Sequence, residues 1–178
     1  MSGLAGDWDK LNNILNPARM KQKLQQAAAK VGAYGASAVK KSIVSGAPGG
    51  ERFAPLHPAT IANKKSSKPL IDKGDLVGSV TWQTVGDNAV FIGVRKSAKS
   101  GDGGALANVA AVHEFGCTIR VTPKMRAYLH YQNIHLKPST QYISVPPRPY
   151  LRPTLNDPEF REKIAEIYMK AIKEAFIS

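Results

Sequence analysis

The chain has 178 residues, of which 43% are hydrophobic and 21% are charged. This composition is typical of one globular domain rather than of a disordered segment. We expect no signal peptide, because the first residues carry neither a basic nor an apolar region, and the apolar runs are too short to cross a membrane. The single cysteine excludes an internal disulfide framework. A membrane protein, a secreted disulfide-rich miniprotein and a collagen-like fibre are therefore excluded.

The chain is strongly basic. Twenty-five Lys and Arg against thirteen Asp and Glu give a net charge of +12. Residues 1–150 hold twenty basic and eight acidic groups, whereas residues 151–178 hold five of each. Such a body attracts nucleic acid or an acidic protein face. The alternative is that the charge only keeps the protein soluble, and composition does not choose between these interpretations.

The first elements predicted are two helices, over residues 7–15 and 17–45. Asn16 is a favourable N-cap, and Pro17 suits the first helical position. In the longer helix apolar residues recur at alternating spacings of four and three, and Gly46 follows as a stop. The apolar residues are Met20, Leu24, Ala27, Val31, Tyr34 and Ala38. The longer helix is therefore predicted to be amphipathic, with one face on a core.

Residues 46–73 are predicted to form a long loop, because they contain four prolines and show no strong periodicity. Connections of this length often bind a partner or are mobile. Lys64, Lys65 and Lys68 lie in this loop and could contact DNA phosphates or an acidic partner.

The middle of the chain has the apolar pattern of strands. A hairpin is predicted over residues 79–95, and a short helix follows over 105–115 and ends at Gly116. Three further segments have strand character, namely 118–122, 127–131 and 142–145. The last predicted element is a helix over 158–176. The sequence thus predicts a single α+β domain over residues 1–178, in which a small, mostly antiparallel sheet is packed by the long N-terminal helix and the C-terminal helix.

The sequence contains no recognisable catalytic or cofactor-binding constellation. It has neither a phosphate-binding Gly-Lys-Ser/Thr motif nor a Gly-x-Ser-x-Gly elbow. His113 and Cys117 are four residues apart and could touch one metal ion, but no second pair of ligands accompanies them. We therefore expect no enzyme, no metal site and no cofactor.

Nucleic-acid binding has some support beyond the net charge. Arg120, Lys124 and Arg126 surround a predicted turn and could contact phosphates. Tyr128 and Tyr131 could stack on bases, but in a strand their side chains would face opposite sides. No helix-turn-helix, zinc knuckle or RNP motif is present. The support for nucleic-acid binding therefore comes from the basic charge.

Four segments in the centre of the chain resemble a known family, and their order and spacing carry the resemblance. The segments are Phe53-x-Pro55-Leu56-x-Pro58-x-Thr60, Pro69-Leu70-Ile71-Asp72-x-Gly74-x-Leu76-x-x-Ser79, Ala110-x-x-His113-Glu114-Phe115-Gly116 and Val145-Pro146-Pro147-Arg148-Pro149-Tyr150-Leu151-Arg152-Pro153. In this order they resemble the tailed-bacteriophage virion-morphogenesis and tail-completion family.

The resemblance implies a structural protein of the virion. Copies of the chain would form a ring, expected to be hexameric, at the head–tail neck or tail end. The ring would join tail to head and let DNA pass, with adjacent neck, tail-tube or connector proteins as partners and no membrane partner. We therefore expect a virion protein assembled in the host cytoplasm. A DNA-binding accessory protein, or an assembly factor absent from the particle, remains the alternative.

The resemblance also directs attention to a long insertion. Residues 117–145 exceed what shorter members of such a family would need. We interpret them as a projecting β-hairpin that reaches a neighbouring subunit, with Arg120, Lys124, Arg126 and Tyr128 at its interface. An isolated hairpin is marginal in water, so contacts in the assembly would order it.

The proline-rich segment after residue 145 is the second interface candidate. It is expected to be extended and to present Arg148, Tyr150 and Arg152 as anchors. The alternative is that Tyr150 and Leu151 only latch the last helix onto the sheet. Phe115, at the end of the preceding short helix, is expected to pack inward.

Overall fold

The computed structural model describes residues 16–87 and 89–177. These residues form helices and two small antiparallel sheets, which confirms the α+β class with a long N-terminal and a C-terminal helix. The helix predicted at residues 7–15 lies outside the described residues. The elements are α1 (Pro17–Ser45), α2 (Pro58–Lys64), α3 (Asp75–Ser79), β1 (Val80–Val85), β2 (Ala89–Val94), α4 (Leu106–Phe115), β3 (Cys117–Arg120), α5 (Pro123–Tyr131), β4 (Tyr142–Val145), α6 (Leu151–Asn156) and α7 (Pro158–Ile177).

Helix α1 begins and ends where its local signals predict. The Asn16 side chain accepts the backbone N–H of Ala18 at 3.0 Å, and Pro17 occupies the first helical position. At the other end Gly46 has φ 73°, and its N–H donates to the carbonyl of Ser42. Local capping is sufficient to set both bounds.

The first sheet is the predicted hairpin. Strands β1 and β2 pair antiparallel from Val80 opposite Val94 to Val85 opposite Ala89. This sheet packs on α1, and the central core is made of buried residues from the first half of the chain together with two from later elements. The cluster comprises Ala36, Val39, Ile43, Leu70, Leu76, Val80, Ala110 and Tyr150.

Helix α7 also packs along α1. The Tyr34 and Phe160 rings stack with their centroids 5.4 Å apart, and Arg19 donates to the backbone carbonyl of Glu174 at 3.3 Å. These contacts place the start of α1 beside the end of α7, so the two helices run antiparallel.

Three sequence-based expectations are wrong in detail. The loop predicted over 46–73 contains a 3₁₀ turn at Pro48–Gly50 and the helix α2. The strand predicted at 127–131 belongs to helix α5, because Pro123 occupies the first helical position and Thr122 Oγ1 caps the Met125 N–H at 3.2 Å. The segment expected to be extended after residue 145 becomes helix α6 from Leu151.

Candidate assembly interface

Residues 117–145 form an excursion from the body that we call the arm. Its base is a two-stranded antiparallel ladder in which Cys117 lies opposite Val145 and Arg120 opposite Tyr142. Helix α5 and the loop after it connect the two strands along the chain. The projecting hairpin predicted for this region is therefore present only as four residue pairs at the base, and a helix forms the tip.

The arm is held together from within by Arg126. Its guanidinium donates to the carbonyl oxygens of Leu136 at 3.3 Å, Lys137 at 3.0 Å and Thr140 at 2.7 Å. These bonds tie helix α5 to the loop that returns to β4. Three guanidinium hydrogen bonds of Arg126 are thus made inside the arm, and its contact with a partner stays a prediction.

The outer surface of the arm is aromatic and cationic. Tyr128 and Tyr131 are 61% and 82% exposed, and no residue of α5 is buried. Arg120 and Lys124 are also exposed, and the arm contains no acidic residue. Among the described residues, no arm cation forms an ion pair with a carboxylate. The arm therefore presents groups that favour a partner with apolar and acidic side chains.

A buried carboxylate at the base of the arm joins α4 to the start of α6. Glu114, only 7% exposed, accepts the backbone N–H groups of Tyr150 at 2.9 Å, Leu151 at 3.0 Å and Arg152 at 3.0 Å. These donors begin α6, which has no side-chain cap of its own at Tyr150. A carboxylate at a helix N-terminus is favourable there because it satisfies donors that lack partners in the helix.

Arg148 makes a second set of contacts at the base of the arm. Its guanidinium donates to the carbonyl oxygens of Ala54 and Pro55, both at 2.8 Å, and its backbone N–H donates to the carbonyl of His113. Burial lowers the pKa of this guanidinium. Arg148 thus ties the loop after α1 to the end of α4.

Arg148 and Tyr150 are therefore not surface anchors. They are 5% and 3% exposed, and burial raises the pKa of the Tyr150 phenol to about 12, with the Glu114 carboxylate adding to the rise. The prediction that both residues are surface anchors is wrong, because the Arg148 guanidinium donates within the fold and the Tyr150 side chain belongs to the buried core cluster. The contacts of Tyr150 and Leu151 with Glu114 agree instead with the alternative that this segment latches the last helices to the body.

Arg152 and Phe115 do reach the surface. The Arg152 guanidinium lies 4.4 Å from the centroid of the Phe115 ring, a cation–π contact, and Phe115 is 63% exposed. The expectation that Phe115 packs inward is therefore wrong, because its ring is exposed and lies against the Arg152 guanidinium. Beside this pair a cavity of about 320 Å³ opens between β2, α4 and α6 and is lined by Phe91, Ala111 and Leu151 among others.

The predicted basic loop is only partly available to a ligand. Lys64 Nζ donates to the carbonyl oxygen of Lys68, and partial burial lowers the pKa of Lys64. Lys65, with φ 54°, and the Lys68 side chain are exposed. Two of the three predicted phosphate-contacting lysines thus face solvent.

His113 lies under the same part of the fold. Its Nδ1 is buried and has no hydrogen-bond partner, and burial lowers its pKa, helped by the positive charges of Arg148 and Lys64. In the described part of the chain, no group of three or more His, Cys, Asp or Glu side chains is placed to hold a metal ion. Nor does any helix in that part have the length and apolar character to cross a membrane.

Glu114 is the residue that sequence reasoning missed. Helix α4 is otherwise mostly apolar, and a carboxylate in such a helix needs donors when it is buried. That mismatch is the signal that could have found it. The donors themselves come from a segment more than thirty residues later, which no local pattern reveals.

Comparison with known protein families matches residues 7–173 to the phage virion morphogenesis family. The chain belongs to this family, and its role is in the structure or assembly of a phage virion. No curated protein and no solved structure matches the chain.

Proposed function

We propose that the chain is a structural subunit that assembles into a ring at the neck or tail end of the virion. The ring completes the tail, joins it to the head and lets DNA pass, and it needs no catalytic group or cofactor. The observation that carries the proposal is the arm, whose Tyr128, Tyr131 and Lys124 are exposed and whose cations form no ion pair in the described part of the chain. Copies of the chain and adjacent neck, tail-tube or connector proteins are its partners.

A ring requires that one surface of each copy contacts a different surface of the next. The arm suits this arrangement because its base is only four residue pairs long and Glu114 joins the helices on either side of it. One further hydrogen bond, from Asn63 Nδ2 to the Gln132 carbonyl oxygen at 3.4 Å, joins the end of α5 to α2. Its exposed tyrosines are of the type that contributes most to protein interfaces.

The first test is quantitative mass spectrometry of purified particles, with this chain counted against the major capsid protein. We expect a copy number that fits one small ring, and six copies would fit the hexamer. Hundreds of copies would make the chain a tube or capsid component. No copies would overturn the virion role and leave an assembly factor.

The second test uses the arm. A chain carrying Tyr128→Ser and Tyr131→Ser should fold but fail to enter particles when it complements a phage that lacks the protein. The matched control carries Val44→Ser and Val85→Ser, which remove two exposed apolar side chains from the body. Equal incorporation of both variants would contradict a role for the arm.

DNA contact in the channel is the second candidate, and the exposed Lys65 and Lys68 favour it. Duplex binding should weaken with salt, and Lys65→Gln with Lys68→Gln should lower the slope of log affinity against log salt by about 2. An unchanged slope would leave these lysines without a role in DNA binding.

A further inference from the structure

Helix α7 has an exposed face that the fold does not use, and we call it the outer stripe. Glu159, Glu162, Glu166, Met169 and Phe176 are all exposed. Their spacings of three, four, three and seven residues place them along one side of the helix. The opposite side, with Phe160, Ala171 and Ala175, is buried. The outer stripe therefore carries carboxylates in its first half, and apolar groups together with the exposed Lys173 after them.

The exposed side of helix α5 in the arm has a complementary pattern. Lys124, Tyr128 and Tyr131 are exposed and are separated by four and then three residues. Glu162, Glu166 and Met169 have the same spacings. Each set covers about 10 Å of helix at 1.5 Å per residue. In a parallel arrangement Lys124 would lie beside Glu162, Tyr128 beside Glu166, and Tyr131 beside Met169.

Charge restricts which surfaces of this protein can meet. A net charge of +12 gives repulsion between copies of the chain, and carboxylates in the contact would offset it. Elsewhere on the fold several acidic groups are already engaged: Asp87 with Lys21 at 2.9 Å and Asp102 with Lys73 at 3.1 Å. The outer stripe concentrates three exposed carboxylates on one helix face, and Glu166 has a local ion pair with Lys163 at 2.6 Å in which both side chains are more than half exposed.

We propose that the arm of one copy docks on the outer stripe of the next, with Lys124 against the carboxylate of Glu162, Tyr128 beside Glu166 and Tyr131 against Met169. This inference rests on the proposed ring and names its interface. Within one copy, no ion pair among the described residues joins the arm to α7. Arm and stripe are different surfaces, so a one-way contact between them is head-to-tail and propagates from copy to copy, whereas a reciprocal pair would stop at a dimer and give no ladder of linked copies.

The test is a charge swap in the full-length chain, read as copies per particle in a phage that lacks the protein. Lys124→Glu alone and Glu162→Lys alone should each lower incorporation about tenfold, since like charges then face each other across every contact. The chain with both substitutions should regain incorporation, because each contact again pairs opposite charges. The matched control, Lys41→Glu with Glu51→Lys, changes exposed residues on the body and should incorporate like the wild type.

Disulfide trapping gives a second readout. With Cys117→Ser as background, Tyr128→Cys and Glu166→Cys in the same chain should give a ladder of linked copies in oxidised particles, and neither cysteine alone should do so. Wild-type incorporation without rescue by the double swap, or without a ladder, would overturn this interface and leave the ring proposal standing. Absence of the wild-type chain from particles would overturn both.

Discussion

The carboxylate of Glu114 accepts the backbone N–H of Tyr150 at 2.9 Å, although thirty-six residues separate the two in the chain. The contact joins the helix that precedes the arm to the helix that follows it. The arm lies entirely between the two residues. The helices on either side of the arm are therefore bonded directly to each other. For this reason we expect changes at the arm surface to affect assembly more than folding.

Glu114→Ala should lower the free energy of unfolding by about 3 kcal/mol, because three backbone donors at the start of α6 lose their acceptor. Urea denaturation followed by circular dichroism measures the change. Glu51→Ala, at an exposed position, is the control and should stay within about 0.5 kcal/mol of the wild type. A loss below about 1 kcal/mol for Glu114→Ala would show that water replaces the carboxylate.

Arg126→Ala should loosen the arm while leaving the body folded. The substitution removes the hydrogen bonds to the carbonyls of Leu136, Lys137 and Thr140. Hydrogen exchange should accelerate across residues 123–141 and stay unchanged in α1. Lys124→Ala, two residues away on the same helix, should leave exchange in the arm near the wild-type rate. Faster exchange throughout the chain would mean that arm and body unfold together.

Gly32→Ala and Gly35→Ala should lower the free energy of unfolding by different amounts. A Cβ at position 32 would meet the rigid Trp82 ring, with Cδ2 at 2.7 Å, whereas at position 35 it would meet the terminal methyl of Ile92, which can rotate away. We expect a loss of about 1–3 kcal/mol at position 32. The loss at position 35 should be smaller, because the Ile92 methyl can move whereas the Trp82 ring cannot, and the gain in helix propensity is the same at both positions. Thermal unfolding of the two variants measures the difference, and equal melting temperatures would contradict it.

The pKa of His113 makes stability depend on pH. Burial holds this pKa below its ordinary 6.5, so the unfolded chain binds a proton more readily than the folded one. The free energy of unfolding should therefore fall as the pH drops below 6.5, until His113 is protonated in the folded state as well. In His113→Gln the urea midpoint should depend less on pH over this range. In His135→Gln, a change in the arm loop, the midpoint should vary with pH as in the wild type. A slope retained in His113→Gln would assign the effect to another group.

Helix α1 shows what local sequence can predict. Asn16 and Gly46 act on atoms within a few residues of themselves, so the helix bounds follow from the residues at its ends. The β1–β2 hairpin is predictable for the same reason, since its two strands are joined by a short turn. The order of the four central segments also indicated the family, which the match over residues 7–173 confirms.

The roles of single residues were harder to predict. Tyr128 and Tyr131 have side chains typical of strands, but the cap at Thr122 and Pro123 makes the segment a helix and brings both rings to one side. Arg148 and Tyr150 have the chemistry of interface anchors, and the same chemistry lets them hold the body together when they are buried.

The sequence by itself determined the α+β class, the bounds of α1 and the family, because these depend on caps, periodicity and the order of segments along the chain. The tertiary structure decided which charged residues are used within the fold and which stay exposed. Glu114, Arg126 and Arg148 find their hydrogen-bond partners far along the chain or across a loop, and only the folded chain brings those carbonyls and N–H groups within reach.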